Sequence, residues 1–172
     1  MSKIINIRTC TTKKEYDWIE EQMENSVGIK EVFEYNANRL KTSSVATLVF
    51  DNNIPIGFIY IAHEMPDERI GFIDMGIINN QIGNGYGKQA LDIFLNKTKN
   101  IDMFLIAETK KENEIAKRSL SKYECIYQKD DSDFYLLNRS LGQLKEEGLY
   151  EELTNHLNSN RISSKDMVKS LY

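Results

Sequence analysis

The feature that most constrains this chain is a turn carrying three glycines, Gly83, Gly85 and Gly87, followed at once by Lys88 and set between segments of different hydrophobic period. Residues 70–78 before it form a nearly continuous apolar run that reads as a buried strand. After it, Ala90, Leu91, Phe94 and Leu95 recur at helical spacing and lead to a second apolar run at residues 101–109. The unit is strand, helix, strand. Residues 79–100 are enough for a crossover, so the two strands can run parallel with the helix packed on the sheet. Where a strand turns directly into a helix, backbone N–H groups stand exposed at the positive end of the helix dipole, and glycines let a ligand approach without Cβ obstruction. Residues 82–88, IGNGYGK, therefore suit a phosphate, with Lys88 adding charge beside a pyrophosphate. The competing reading is a tight strand-to-helix loop and nothing more.

Spacing excludes two nucleotide motifs. Gly83 and Gly87 enclose three residues rather than four, and Lys88 precedes Gln89 rather than Ser or Thr, so the turn is not a P-loop. The third glycine of a dinucleotide fingerprint would fall on Lys88, and no repeated βαβ pattern surrounds it, so nicotinamide and flavin cofactors lose support.

The rest of the chain predicts a sheet around this unit. Residues 4–8 alternate as a first strand, and Thr12 with Glu15 matches a capping box that opens a helix toward Asn25, with Trp18 and Ile19 on its buried face. Ile29, Val32, Phe33 and Leu40 fit a second helix. Residues 45–51 and 57–63 are β-rich and joined by Asn52-Asn53-Ile54-Pro55 as an antiparallel hairpin, with His63 and Glu64 as its polar end. A further helix spans residues 113–121, its narrow face formed by Ile115, Ala116, Ser119 and Leu120. Strands at 124–128 and 134–138 flank a polar turn. Residues 142–172 depart from this alternation and read as helical, with Leu144, Leu149, Leu153 and Leu157 on one side and a shorter segment from Ser163; these helices are expected to cover the sheet or to join two copies as a homodimer.

Composition narrows the function classes. With 172 residues the chain can bury one substantial core. A net charge of −4 lacks the basic field that nucleic-acid binders use, so no nucleic-acid partner is expected. Cys10 and Cys125 are too few for a disulfide scaffold and lack metal-ligand spacing; both are expected to be buried thiols. His63 and His156 are the only histidines, which excludes a site built on several of them, and no metal is expected. The most apolar stretch, residues 54–62, is too short to cross a bilayer and the N-terminus has no signal-like apolar run, so no membrane partner is expected and the expected location is cytoplasmic.

Ile82, Gly83, Asn84, Gly85, Tyr86 and Gly87 resemble the acetyl-CoA motif of the GNAT superfamily of acyl-CoA-dependent N-acyltransferases, Gln/Arg-x-x-Gly-x-Gly/Ala at this same junction. Ile82 replaces the usual Gln or Arg, with Gln81 just before it. A second block, residues 111–116, is similar to the family's segment after the next strand, where an Asn followed by a small residue starts a helix flanking CoA; here that Asn is Asn113. Residues 119–122 look more like the branch containing ribosomal-protein N-terminal acetyltransferases than the branch with a tyrosine, often the general acid, at the position of Leu120. Glu124-Cys125 stands where the family commonly has Gly-Phe.

This resemblance implies an α/β fold, a GNAT-like mixed and mostly antiparallel sheet with helices on both faces, with residues 1–141 as the acyltransferase domain and 142–172 as a helical C-terminal extension. It implies acetyl-CoA as co-substrate and a primary amine as acceptor: a polyamine, an aminoglycoside-like amine or a peptide N-terminus. It also implies that the strand at 70–78 splays from the one at 101–109, leaving main-chain groups of Met75 and Ile77 for the acyl carbonyl and the pantetheine arm, and that Asn113 contacts CoA. Acyl transfer from a thioester needs an unprotonated amine but no protein nucleophile, so Asp74 and Glu108, on the two strands flanking the gap, are the candidate bases. Arg118 and Lys122 could reach CoA phosphates or merely complement a helix dipole. Glu15, Asp17, Glu20, Glu21, Glu24, Glu31 and Glu34 form an acidic rim suited to a cationic acceptor, diluted by Lys13, Lys14, Lys30 and Arg39. The rival reading is a non-catalytic CoA-binding or protein-interaction module, suggested by Ile82, Leu120 and the C-terminal leucines; a GNAT toxin acting on charged tRNA is disfavoured by the acidic balance.

Overall fold

The computed structural model describes residues 5–26, 28, 30–81 and 83–159. Ile4, Ile29, Ile82 and the segment from Ser163 lie outside them. Seven strands, β1 (Ile5–Thr9), β2 (Val45–Asp51), β3 (Ile54–Ala62), β4 (Ile70–Ile77), β5 (Phe104–Lys110), β6 (Glu124–Lys129) and β7 (Ser132–Leu136), form one sheet in the order β1-β2-β3-β4-β5-β7-β6. Every neighbouring pair is antiparallel except β4 with β5. The helices are α1 (Lys13–Ser26), α2 (Lys30–Lys41), α3 (Tyr86–Lys97), α4 (Glu114–Leu120), α5 (Leu141–Glu146) and α6 (Leu149–Leu157). The architecture is the mixed α/β arrangement expected.

Local chemistry accounts for the boundaries. The α1 capping box forms as Glu15 N donates to Thr12 Oγ1 at 3.3 Å while Thr12 N donates to Glu15 Oε1 at 3.3 Å. The hairpin turn is tighter than expected: Asn52 and Asn53 alone make it, both at positive φ (49° and 71°), and β3 already begins at Ile54. Pro55 is tolerated inside β3 because the register shifts there, Val49 facing Gly57 and Phe50 facing Pro55, and this bulge turns Ile56 toward the same core as Ile59 and Ile61.

The two faces of the sheet bury different layers. On one face Ile73, Met75 and Ile77 of β4 with Leu105 and Ala107 of β5 pack against Ala90, Leu91 and Phe94 of α3. On the other face, Ile19, Met23 and Leu40 of α1 and α2 cover β2 and β3. Leu144 of α5 and Leu149, Leu153 and Leu157 of α6 cover Phe72, Phe104, Ile106 and Phe134. All four expected leucines are buried. Cys10 is buried as expected, but Cys125 is exposed, because it lies on edge strand β6 beside a register irregularity between Cys125 and Tyr127.

β4 and β5 pair only from Ile70 with Phe104 to Phe72 with Ile106. Beyond that point β4 continues against β3 alone and β5 against β7 alone. The splay that the family resemblance implied is present, and it leaves residues 73–77 with a ladder on one side only.

Candidate active site

A cleft of about 310 Å³ opens where β4 and β5 part. Its walls are Met75 and Ile77 of β4, Gln81, Gly83 and Gly85 of the turn, Tyr86, Gly87 and Lys88 at the start of α3, and Ile115, Arg118 and Ser119 of α4. The turn needs its glycines: Gly83 and Gly85 sit at φ +91° and +76°, a region that strains side-chain-bearing residues. Gly85 is the N-cap of α3 and supplies no side-chain hydrogen bond, so the first N–H groups of this twelve-residue helix are open to an anion. Gly87 carries no such demand: a Cβ there would make ordinary contact with Met75 Cε at 3.5 Å. Asn84 Nδ2 donates to the Gln81 carbonyl at 3.4 Å and closes the loop. Tyr86 turns inward, is buried, and donates its hydroxyl to Asp51 Oδ2 at 3.0 Å, tying the turn to the end of β2. Lys88 is on the cleft wall.

The structure seats Asn113 as the N-cap of α4, its Oδ1 accepting from Ala116 N at 3.1 Å, and not on the cleft wall. The face of α4 expected to be uniform divides: Ala116 and Leu120 are buried, while Ile115 is 48% exposed and lines the cleft with Ser119. Of the two cations weighed near the C-terminus of this helix, Arg118 lines the cleft, whereas Lys122, just beyond it, pairs with Asp92 at 2.5 Å.

Asp74 and Glu108 share the opposite face of the sheet, on either side of the gap: Asp74 follows Phe72 in β4, and Glu108 follows Ile106 in β5, half-buried across from Phe134. Asp74 is engaged. Arg39 of α2 reaches it with a fork, Nε to Oδ2 at 2.9 Å and Nη2 to Oδ1 at 3.1 Å. Arg39 Nη1 also donates to Tyr35 Oη at 3.1 Å and to Glu64 Oε2. Glu64 Oε1 in turn meets His156 Nε2 of α6 at 2.8 Å. Burial opposes the charge of Arg39, yet Asp74 and Glu64 outweigh it and hold the guanidinium pKa well above its usual value. Tyr60, across the ladder from Asp74, is fully buried, with its hydroxyl beside the Asp74 carboxylate and the Arg39 guanidinium. Burial first, and the Asp74 carboxylate second, push its phenol well up. The sequence alone places Arg39 among four cations that dilute the acidic rim and gives His156 no role; the local hint is the helical register that puts Arg39 beside buried Asn36 and Leu40.

The acidic rim is partly neutralised. Glu15 pairs with Arg8 at 2.8 Å, Asp17 with Lys13 at 2.7 Å and Glu34 with Lys30 at 3.7 Å, while Arg39 is withdrawn into the core.

No protein-family model and no curated protein matches the sequence. The fold does match solved structures. The ribosomal-protein-S18-alanine N-acetyltransferase from Escherichia coli superposes with TM-score 0.63 at 9% identity, over 80% of this chain and 96% of that one. A protein from Salmonella typhimurium described as an acetyltransferase, solved with its cofactor acetyl-CoA, gives 0.61 at 12% identity, over 80% and 95%. A chain of the NatC complex bound to Gag peptide and CoA gives 0.60 at 17% identity, over 79% and 99%. The chain has the fold of the GNAT acetyltransferases.

Proposed function

We propose that this protein is an N-acetyltransferase that moves an acetyl group from acetyl-CoA to a primary amine. The observation that carries the reading is the uncapped N-terminus of α3 behind Gly83 and Gly85, opening into the cleft at the β4/β5 gap. The residues fit the co-substrate. Gly83 to Lys88 would hold the pyrophosphate through main-chain N–H groups, with Lys88 and Arg118 adding positive charge on the cleft wall. Main-chain groups of Met75 and Ile77, on the side of β4 that β5 has left, would orient the acyl arm. Acetyl-CoA, when bound, supplies the activated thioester.

The chain's own task is then to orient the amine and accept its proton. Glu108 is the base in this reading, at the edge of the gap and on the face away from α3. Asp74, forked to Arg39, contributes through the shape and charge of the same face. Residues 1–141 form the acyltransferase domain, and the helices beyond cover its sheet. The acceptor is a polyamine, an aminoglycoside-like amine or a peptide N-terminus, drawn by the rim of Glu20, Glu21, Glu24 and Glu31 on α1 and α2.

A thiol-release assay with acetyl-CoA over a panel of these amines tests the reading; release above that of acetyl-CoA alone is expected with at least one amine. Glu108→Gln should lower turnover by about 100-fold to 10,000-fold while acetyl-CoA still binds. Turnover within about threefold of the parent would assign proton removal to another group. Failure of every amine, together with no acetyl-CoA binding, overturns the function.

A further inference from the structure

His156 has no part in the acyl transfer proposed above, yet it terminates a chain of charged groups that runs from α6 to the centre of β4. His156 Nε2 meets Glu64 Oε1 at 2.8 Å, Glu64 Oε2 accepts from Arg39, and Arg39 forks onto both oxygens of Asp74. The side chains of His156, Glu64, Arg39 and Asp74 are 21%, 5%, 7% and 8% exposed, and they come from four separate parts of the sequence: α6, the β3–β4 connection, α2 and β4. Two buried carboxylates share one guanidinium, so each needs further donors to offset its lost hydration, and an imidazole N–H supplies one to Glu64. The location matters as much as the charge. Residues 73–77 lack a ladder on the β5 side, and Asp74 lies within that half-restrained stretch, immediately before Met75. The Arg39 fork adds a second hold on β4 in the stretch that β5 leaves unpaired.

We propose that His156 is a positioning residue for the acceptor side of the cleft: by holding Glu64 it sets Arg39, and through Arg39 it fixes Asp74 and the splayed segment of β4. The inference rests on the reading of this gap as the site of acetyl transfer. It makes α6 part of the working site and not only a cover for the sheet.

The test uses the full chain and two variants. His156→Leu keeps apolar bulk beside Phe72, whose ring centroid lies 6.0 Å from that of His156, but removes the donor; His156→Gln restores an N–H to Glu64. Hydrogen exchange by NMR is read at the Arg39 Nε–H and at the amides of residues 73–77. Exchange there is expected to be about tenfold faster in H156L and near the parent rate in H156Q, with the α3 amides unchanged. Equal exchange in parent and H156L, or acceleration spread evenly into α3, overturns the proposal. With an amine that the parent acetylates, H156L should lower kcat about tenfold while the acetyl-CoA Kd stays constant, and H156Q should recover it. A loss of thermal stability with unchanged kcat would reduce His156 to a packing residue and likewise overturn the proposal. If the parent binds no acetyl-CoA, the proposed function fails, and the exchange measurement still decides whether His156 sets Arg39 and β4.

Discussion

The two sides of β4 are built from different materials. Toward α3 the cleft is made of main chain: glycines at positive φ, an uncapped helix end and a strand edge without a partner. Toward α2 and α6 it is made of side-chain charge, with Arg39 between two carboxylates and a histidine behind one of them. A main-chain site depends on a short contiguous stretch and tolerates most side-chain changes around it. A charge network depends on several distant residues at once, and removing one leaves the others buried and unbalanced. The first material suits a ligand part that is always the same, such as a pyrophosphate, and the second suits a surface that must discriminate.

The largest expected effect comes from breaking the charged side. Arg39→Met leaves Asp74 and Glu64 buried without their shared cation and should cost about 3–5 kcal/mol in urea unfolding. A loss below about 1 kcal/mol, the size of an exposed pair, would make the two sides equally tolerant and dissolve the contrast. Next is the main-chain side. At 100 times its dissociation constant, acetyl-CoA should stabilise the parent by about 2.7 kcal/mol, and Gly85→Val should remove that gain by placing a branched side chain at φ +76°. Normal binding by this variant would show that the turn is not the phosphate cradle.

A smaller change sharpens the boundary between the two. Tyr86→Phe deletes the bond to Asp51 that ties the glycine turn to β2, and should cost about 0.5–1.5 kcal/mol with a matching loss of acetyl-CoA affinity. If stability falls and affinity does not, the tie serves the fold alone. The smallest effect is a control that touches neither side. Burial, followed by repulsion from Glu15, pushes the Cys10 thiol up to about 11, so at pH 8 only about one molecule in a thousand carries its thiolate. Native protein should therefore take up one alkyl group, at exposed Cys125, and a second only on unfolding, as mass spectrometry would count.

The same division explains what the sequence discloses. Gly83, Gly85, Gly87 and Lys88 lie together because a main-chain turn is local, so the sequence marks it, though spacing alone leaves a phosphate site and a tight loop as equal readings. The Thr12 and Glu15 capping box is local for the same reason. The splay of β4 from β5 came only through the family resemblance, since a missing ladder leaves no mark in hydrophobic pattern. Arg39, Glu64 and His156 were illegible, because each is unremarkable among its own neighbours and gains meaning from residues in other elements. Asn113 was noticed by motif, and the structure uses its side chain to start α4. Cys125 and Pro55 misled where they did because edge position and a one-residue bulge are properties of pairing, which composition does not carry.

The separation of Glu64 from His156 by 92 positions has a consequence for biosynthesis. β2, β3 and β4 pair in the order in which they are made, and the Arg39 fork spans only 35 positions, so both can form once β4 has left the ribosome, before α6 has emerged. The histidine arrives last, after every strand has been synthesised. Closure of the charge network therefore ends with the docking of α6, and a nascent or prematurely terminated chain lacking residues 149–157 would carry the glycine turn beside an open clamp.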